Sequence, residues 1–459
     1  MKQFIATINL MHGTLPISIF AISALCLAVL LITKPKKSKY LPKLLTQLGS
    51  AFLFAIIFGF ITWLISDVFL VFGVSLGWLV IFSIAGGFAA VGFALSAAII
   101  SKGYRRAFAI FSIILFVLAT MIRVNMIYGE YTTIGSVFGL GNYPKLEEHN
   151  KHNAVMEIKD WNGLADQKKL PKMPSKGISR SVRIPATQSN FRARIANVYL
   201  PPAALTKFAP KLPVMVLLSG QPGSPNRLFA ASEIVNTLDA YAKKHNGLAP
   251  IVVSPDQNGT STHNSLCANT KVYGNAQTYL TKDVVSWIRK NLPASTNPAL
   301  WLMGGFSQGG TCATQIVPAY PKLFGNMYSA GGELEPTYKN KNETINRYFN
   351  GNRKEYEKHI PANVMRKNAP LNQNYYSIAG AWDPKSQINQ STIAIAAHKA
   401  GISVITMISK GSGHDWHTVQ SGLKVAIDHL CKDAGIAKHD PDLSSYSNIQ
   451  VVVNQKVRR

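Results

Sequence analysis

Acidic side chains are scarce in this chain: 22 Asp and Glu stand against 48 Lys and Arg over 459 residues, a formal net charge of +26. The scarcity is most severe at the start, where Asp67 is the only acidic residue before position 128. Other shortages exclude whole classes of function. The four cysteines and eleven histidines are scattered without ligand spacing, so no metal centre and no cofactor is expected. No nucleic-acid recognition motif is present, and no internal repeat or long low-complexity segment interrupts the chain.

What is abundant is apolar residues, 47% of the chain and unevenly spread. Four apolar runs, Pro16–Thr33, Leu44–Ile65, Trp78–Ile100 and Ala107–Ile127, are each about 18–23 residues long, enough for a helix to cross a hydrocarbon core of about 30 Å. The first is not a convincing cleavable signal peptide, because further apolar runs follow and no clear small-residue cleavage site does. Charge orients the runs. "KPKKSKYLPK" (Lys34–Lys43) holds five lysines and "SKGYRR" (Ser101–Arg106) three cations, neither with an acid, whereas the loop from Asp67 to Gly77 has no cation. Positive loops stay in the cytoplasm. Residues 1–127 are therefore expected to form a multi-pass, four-span region of the plasma membrane. Both termini, and everything after about Tyr128, should be extracytoplasmic. Residues 128–459 carry 38 Lys and Arg against 21 Asp and Glu. A basic body in that place suits anionic lipid headgroups or wall polymers rather than nucleic acid.

Residues 128–177 read as a connector that ends in an extended linker, "KKLPKMPSKG" (Lys168–Gly177), with Gly129, Gly135, Gly139, Gly141 and Pro144 before it. From Ile178 the pattern changes. Ser179–Ala186 and Arg192–Pro201 look like two antiparallel strands. "LPVMVLLSG", "APIVVSPD", "ALWLMGGF", "FGNMYSAGG", "NYYSIAGAWD" and "SVITMIS" are apolar strands separated by helical stretches at Ala231–Lys244, Gln277–Asn291, Thr311–Tyr320, Gln387–Ala400 and Val419–Ala434. Continuous apolar strands alternating with helices indicate a mostly parallel sheet covered on both faces, over residues 178–435, with 436–459 left as a C-terminal tail. Functional groups of such sheets lie at the carboxyl ends of strands.

Ser307 stands there, between a strand and a helix, in Gly305-Phe306-Ser307-Gln308-Gly309. This G-x-S-x-G elbow lifts a hydroxyl clear of the sheet, and the glycines let the turn be sharp. A serine nucleophile needs a base and an orienting acid, which in hydrolases of this architecture follow in the order acid, then histidine. Asp383 of "GAWDP" ends one later strand and His414 of "KGSGHDWHTV" follows the next. Glu333 and Glu335 are rival acids; His417 and His398 are rival bases. An oxyanion hole needs two fixed N–H donors. Gln308 supplies one, and Gln221 of "SGQPGSP" the other, since Pro222 has no N–H.

These residues carry a resemblance. Over roughly 180–435, through "VMVLLSG", "TYLTKDVVSWI", "GGFSQGGTCA", "GAWD" and "GHDW", the chain resembles the esterase D group of α/β-hydrolases, which includes the mycolyltransferases of actinobacterial envelopes. The four-span start, "GGTCA" and "GGELEPT" make it more similar to membrane-anchored actinobacterial esterases of the group. The resemblance implies an α/β-hydrolase domain with Ser307 as nucleophile, Asp383 as acid, His414 as base, and Gln221 and Gln308 as oxyanion donors. In the mycolyltransferases the acid is a glutamate. Asp383 departs from that, which favours ester hydrolysis over acyl transfer. Cys267 follows the Ala249–Asp256 strand and Cys312 lies in the first turns after Ser307. The two loops are neighbours in such a fold, and an oxidising compartment lets a Cys267–Cys312 disulfide persist; two buried free thiols are the alternative. The sequence thus points to a membrane-anchored extracytoplasmic serine esterase for acyl or aminoacyl esters of envelope lipids or glycans. An envelope acyltransferase and a non-catalytic assembly protein on a hydrolase fold are the alternatives. Whether Thr337–Pro370 forms a lid is open.

Overall fold

The structure is a computed structural model and describes residues 5, 7–32, 40–69, 71, 75–138, 143–148, 153–439 and 442–457. Lysines 34, 36, 37 and 39 of the first basic loop, and the connector glycines Gly139 and Gly141, lie outside the described residues. The chain divides into two compact units, Met1–Leu140 and Gly141–Arg459.

The first unit holds four long helices, α1 (Thr14–Ile32), α2 (Tyr40–Trp63), α3 (Trp78–Ile100) and α4 (Tyr104–Tyr128). All four are long and apolar enough to cross a membrane; a wider π-helical turn, Leu64–Val68, extends α2 and carries Asp67. The helices share a small apolar core that includes Leu30, Phe93 and Phe116, yet much of their outer surface is apolar too. In α2 the buried side chains are Gln47 and Thr62, while Phe52, Leu53, Ile56 and Phe60 are exposed. Polar groups are tied inward, as where Ser50 Oγ donates to the Gly92 carbonyl of α3 at 2.9 Å. Extensive apolar surface on the outside of a helical unit is what a lipid solvent selects.

The second unit is an α/β-hydrolase domain. The nine strands of its main sheet are β1 (Ile178–Val182), β2 (Ala196–Leu200), β3 (Val214–Leu218), β4 (Ile251–Ser254), β5 (Trp301–Phe306), β6 (Asn326–Ala330), β7 (Asn374–Gly380), β8 (Ser403–Ser409) and β9 (Ile449–Gln455). They form one sheet in the order β1-β2-β4-β3-β5-β6-β7-β8-β9. The run from β4 to β8 is parallel; β1, β2 and β9 are antiparallel to their neighbours. Every residue of β2 through β6 is buried, which is why these strands read as unbroken apolar runs instead of alternating ones. β3 lies between β4 and β5, so successive connections leave it in opposite directions. This switch point opens a crevice at the carboxyl ends of β3 and β5.

Two assignments change, and a third segment left open takes a defined structure. The stretch called a connector is integrated into this unit from Tyr143 onward: the helix Ile158–Asp166 buries Ile158 and Trp161, and the Trp161 indole N–H donates to the Asn246 carbonyl at 3.1 Å. An Ile-x-x-Trp spacing on a short helix presents one apolar face, and that face is claimed by the core. The tail 436–459 likewise contributes β9, whose β-branched run Ile449-Gln-Val-Val-Val pairs with β8. The third concerns Thr337–Pro370, which folds into helices Lys341–Phe349, Arg353–Glu357 and Pro361–Asn368. Ile345, Tyr348, Phe349 and Tyr356 of this segment form a small separate core with Leu266 and Ala268, so it packs on the loop that follows β4.

Candidate active site

β5 delivers Ser307 into a turn that closes at once into the helix Gln308–Ile316. Ser307 has φ 53° and ψ −114°, a backbone state that side chains disfavour. The turn is held by the Ser307 N–H donating to the Ala330 carbonyl at 2.8 Å and the Thr311 N–H donating to the Ser307 carbonyl at 3.0 Å. Both flanking glycines are required by space. A Cβ on Gly305 or Gly309 would stand 2.2 or 2.3 Å from the same Leu218 carbonyl oxygen of β3. Strand, turn and helix are thus pressed together behind the serine.

Asp383 and His414 come from the two strands beyond. Asp383 follows β7 and caps the helix Pro384–Lys399, with Oδ1 accepting the Ser386 N–H at 3.1 Å. Its Oδ2 lies 2.8 Å from His414 Nδ1. His414 sits in the turn between β8 and the helix Trp416–Asp433, a turn locked by Asp415, which accepts from the Gly413 and Thr418 N–H groups. The imidazole lies against the ring of Phe306, the residue before Ser307, with centroids 4.8 Å apart. The His414 contacts to Asp383 and Ser386 both use Nδ1, which leaves Nε2 without a hydrogen-bond partner among the described residues. Burial alone would raise the Asp383 carboxyl. The hydrogen bond and charge of His414, with the two bonds from Ser386, outweigh it and hold the group below its ordinary range. Asp383 is accordingly ionised at neutral pH.

The rivals stand elsewhere. Glu335 pairs with Lys341 at 2.7 Å, and Glu333 faces Lys385 at 3.8 Å. Burial pushes the Glu333 carboxyl up, an effect only partly offset by Lys385 and His414. His417 lies in the first turn of the helix Trp416–Asp433 and His398 is exposed near the end of Pro384–Lys399.

Gln221 lies in the loop after β3, joined to Pro222 by a cis peptide, and its side chain donates to the Thr262 carbonyl at 3.1 Å. A Cβ on the preceding Gly220 would lie 3.5 Å from Ser307 Cβ, so this loop borders the serine. Gln308 opens the helix after Ser307, where first-turn N–H groups have no partner within the helix. Cys267 and Cys312 are joined by a disulfide with Cα atoms 5.6 Å apart. Cys26 and Cys431 are buried free thiols. Among the described residues no three His, Cys, Asp or Glu side chains converge on a metal position.

Five residues that the sequence reading passes over also border this crevice: Arg194, Asp256, Gln257, Asn258 and Asn264. Asp256 is fully buried and paired with Arg194, with Nη2 to Oδ1 at 2.8 Å. Asn258 and Asn264 bond the Gln308 carboxamide. The available signal was "SPDQNG", a polar cluster at the carboxyl end of β4.

Comparison with known proteins gives a family and several similar chains. A relative from Corynebacterium glutamicum, an uncharacterized protein, is 27% identical over 325 residues, covering 68% of this chain and 73% of its own. Among solved structures the chain is similar to an S-formylglutathione hydrolase from Agrobacterium tumefaciens (16% identity, TM-score 0.47, covering 57% of this chain and 97% of that one). It is also similar to FphF, a fluorophosphonate-binding serine hydrolase of Staphylococcus aureus (16%, 0.46, 56% and 98%), and to MPT51 of Mycobacterium tuberculosis (18%, 0.38, 58% and 99%). The Esterase family model matches residues 188–424, more than half of the chain. The chain belongs to the Esterase family and is a serine hydrolase of carboxylic esters.

Proposed function

We propose that this protein is a membrane-anchored esterase whose catalytic domain faces outward and cleaves acyl or aminoacyl esters of envelope lipids or glycans. The observation that carries the chemistry is the 2.8 Å contact between Asp383 and His414 Nδ1, with Nε2 left available beside the Ser307 turn. His414 Nε2 takes the Ser307 proton as Oγ bonds to the ester carbonyl carbon. The carbonyl oxygen becomes an oxyanion facing the Gln221 and Gln308 N–H groups. The C–O bond to the alcohol then breaks, and the alcohol leaves with the proton held by His414. Water, deprotonated by the same imidazole, attacks the acyl-enzyme and releases the acid and Ser307. Asp383 stays ionised and stabilises the imidazolium.

The location is supported by the apolar lengths of α1 to α4, by the cations of Lys34–Lys43 and Ser101–Arg106, and by a disulfide that an oxidising compartment preserves. A buried Asp–His pair beside a strained serine is more than a non-catalytic assembly protein requires. Ser307→Ala should abolish covalent labelling by a fluorophosphonate and lower short-ester turnover by on the order of 10⁴-fold. His414→Ala should do nearly the same, and the double variant little worse, because the three groups act as a unit. Asp383→Asn should be less severe, and His417→Ala mild. Wild-type turnover in Ser307→Ala, or an essential His417 with a dispensable His414, would overturn the assignment.

A further inference from the structure

The two oxyanion donors come from separate elements, the loop after β3 and the helix after β5, and among the described residues no hydrogen bond joins the two. An oxyanion site works because its donors are already aimed before charge develops. Strand pairing and the close packing of Leu218 on Gly305 and Gly309 bring the two elements together, and the loop after β4 bonds to both sides.

Three consecutive residues of that loop each hold one part. Gln257 is fully buried, and its Nε2 donates to the Ser219 carbonyl, where β3 enters the Gln221 turn, at 2.7 Å. Asn258 makes a reciprocal pair with the Gln308 carboxamide: Gln308 Nε2 donates to Asn258 Oδ1 at 2.9 Å, and Asn258 Nδ2 donates to Gln308 Oε1 at 2.7 Å. Asn264 accepts the second Gln308 Nε2 proton at 2.7 Å. Backbone groups of one-way character decide which amide atom is which. The Ser265 N–H can only donate, to Asn258 Oδ1, and the Leu266 N–H likewise to Asn264 Oδ1, both at 3.0 Å; the Thr337 carbonyl can only accept, from Asn264 Nδ2 at 3.1 Å. Asp256 anchors the base of the loop. It accepts the Asn258 and Gly259 N–H groups and the Arg194 guanidinium, whose Nη2 also donates to the Gly223 carbonyl at 2.9 Å. The far end is held on the nucleophile helix by Cys267–Cys312, and Cys312 stands four residues, one turn, past Gln308 on the same face.

We propose that Asp256, Gln257 and Asn258 are positioning residues for ester cleavage, spacing the Ser219–Gly223 turn against Gln308 so that both N–H donors meet the oxyanion. This rests on the reading of Ser307 as nucleophile with Gln221 and Gln308 as donors. A loop that only stabilised the fold would affect substrate and transition state alike. One that aims the donors affects the transition state alone.

The test uses full-length protein in lipid nanodiscs. Asn258→Asp keeps the size of the side chain but sets a carboxylate oxygen against Gln308 Oε1. Steady-state turnover of a short acyl ester, inhibition by a trifluoromethyl ketone, and end-point fluorophosphonate labelling as a count of intact sites are read together. The expected result is full labelling, KM within about two-fold, and kcat lower by about 10- to 100-fold, short of the loss of a donor itself. The ketone should weaken in parallel with kcat/KM. Gln308→Met, which keeps the N–H and removes the carboxamide, should behave alike and serves where Asn258→Asp does not fold. Unchanged kcat and ketone affinity at full labelling would overturn the proposal, as would a change confined to KM. No labelling of the unsubstituted protein would remove the nucleophile reading, and the proposal with it, which a normal wild type and unaffected variants would not do.

Discussion

At Ser307 the backbone sits where glycine is comfortable and serine is not. Strain of this kind is worth of order 1–3 kcal/mol, part of it offset by the greater freedom of an unfolded glycine. Ser307→Gly should therefore be more stable than Ser307→Ala by about 1 kcal/mol, read as a melting temperature a few degrees higher, while neither variant should turn over ester. Asp383 makes a second prediction. Its folded pKa lies below the unfolded one, so its stabilising contribution is present above the ordinary carboxylate range and is lost as pH falls through the folded value. The melting-temperature gap between wild type and Asp383→Asn should stay level above about pH 4 and narrow below it; a gap that narrowed only on the alkaline side would contradict the sign. Ser307, Asp383 and His414 were legible because each follows a strand that the sequence marks as apolar. Gln257, Asn258 and Asn264 were not, since a carboxamide in a loop gains meaning only from the partner that folding brings to it.

Among the elements, the loop closed by Cys267–Cys312 is the one whose removal is simplest to measure. Native protein digested without reductant should give the linked peptide pair, and the paired cysteine-to-serine variant should lose on the order of 2–5 kcal/mol. Free alkylation of both thiols in unreduced protein would contradict the bridge. β1 and β2 could be read from sequence as an antiparallel pair, and β3 to β8 because buried parallel strands announce themselves by unbroken apolar runs. β9 was missed: an antiparallel edge strand, half exposed, has no such run and is separated from its partner by a helix and a turn. The helix Ile158–Asp166 was missed because nine residues with two buried positions are too short to show a period.

For the whole molecule, the separation into four long apolar helices and a basic hydrolase domain was visible in composition alone, because the apolar runs and the charged residues fall in different parts of the chain. The proposed direction of crossing rests on the cations of Lys34–Lys43 and Ser101–Arg106. Reporter fusions after Lys39 and after Arg106 should read cytoplasmic and one after Lys176 extracytoplasmic; a cytoplasmic reading after Lys176 would remove the envelope substrates from consideration while leaving the esterase chemistry untouched. Which ester is cleaved was not legible. The helices of 341–368 pack on the loop after β4, and such packing between segments far apart in sequence sets the shape that selects a substrate.

The strained serine also bears on inheritance. In a lineage that no longer needed the chemistry, glycine at position 307 would be favoured by stability alone, and a single base change converts the serine codons AGC and AGT to glycine. The side chain held there is disfavoured by its own backbone in every generation, so its persistence requires continuing selection for the hydroxyl. A drifting scaffold would shed this residue early, before it lost Asp383 or His414, whose bonds still help to hold the turns in which they lie.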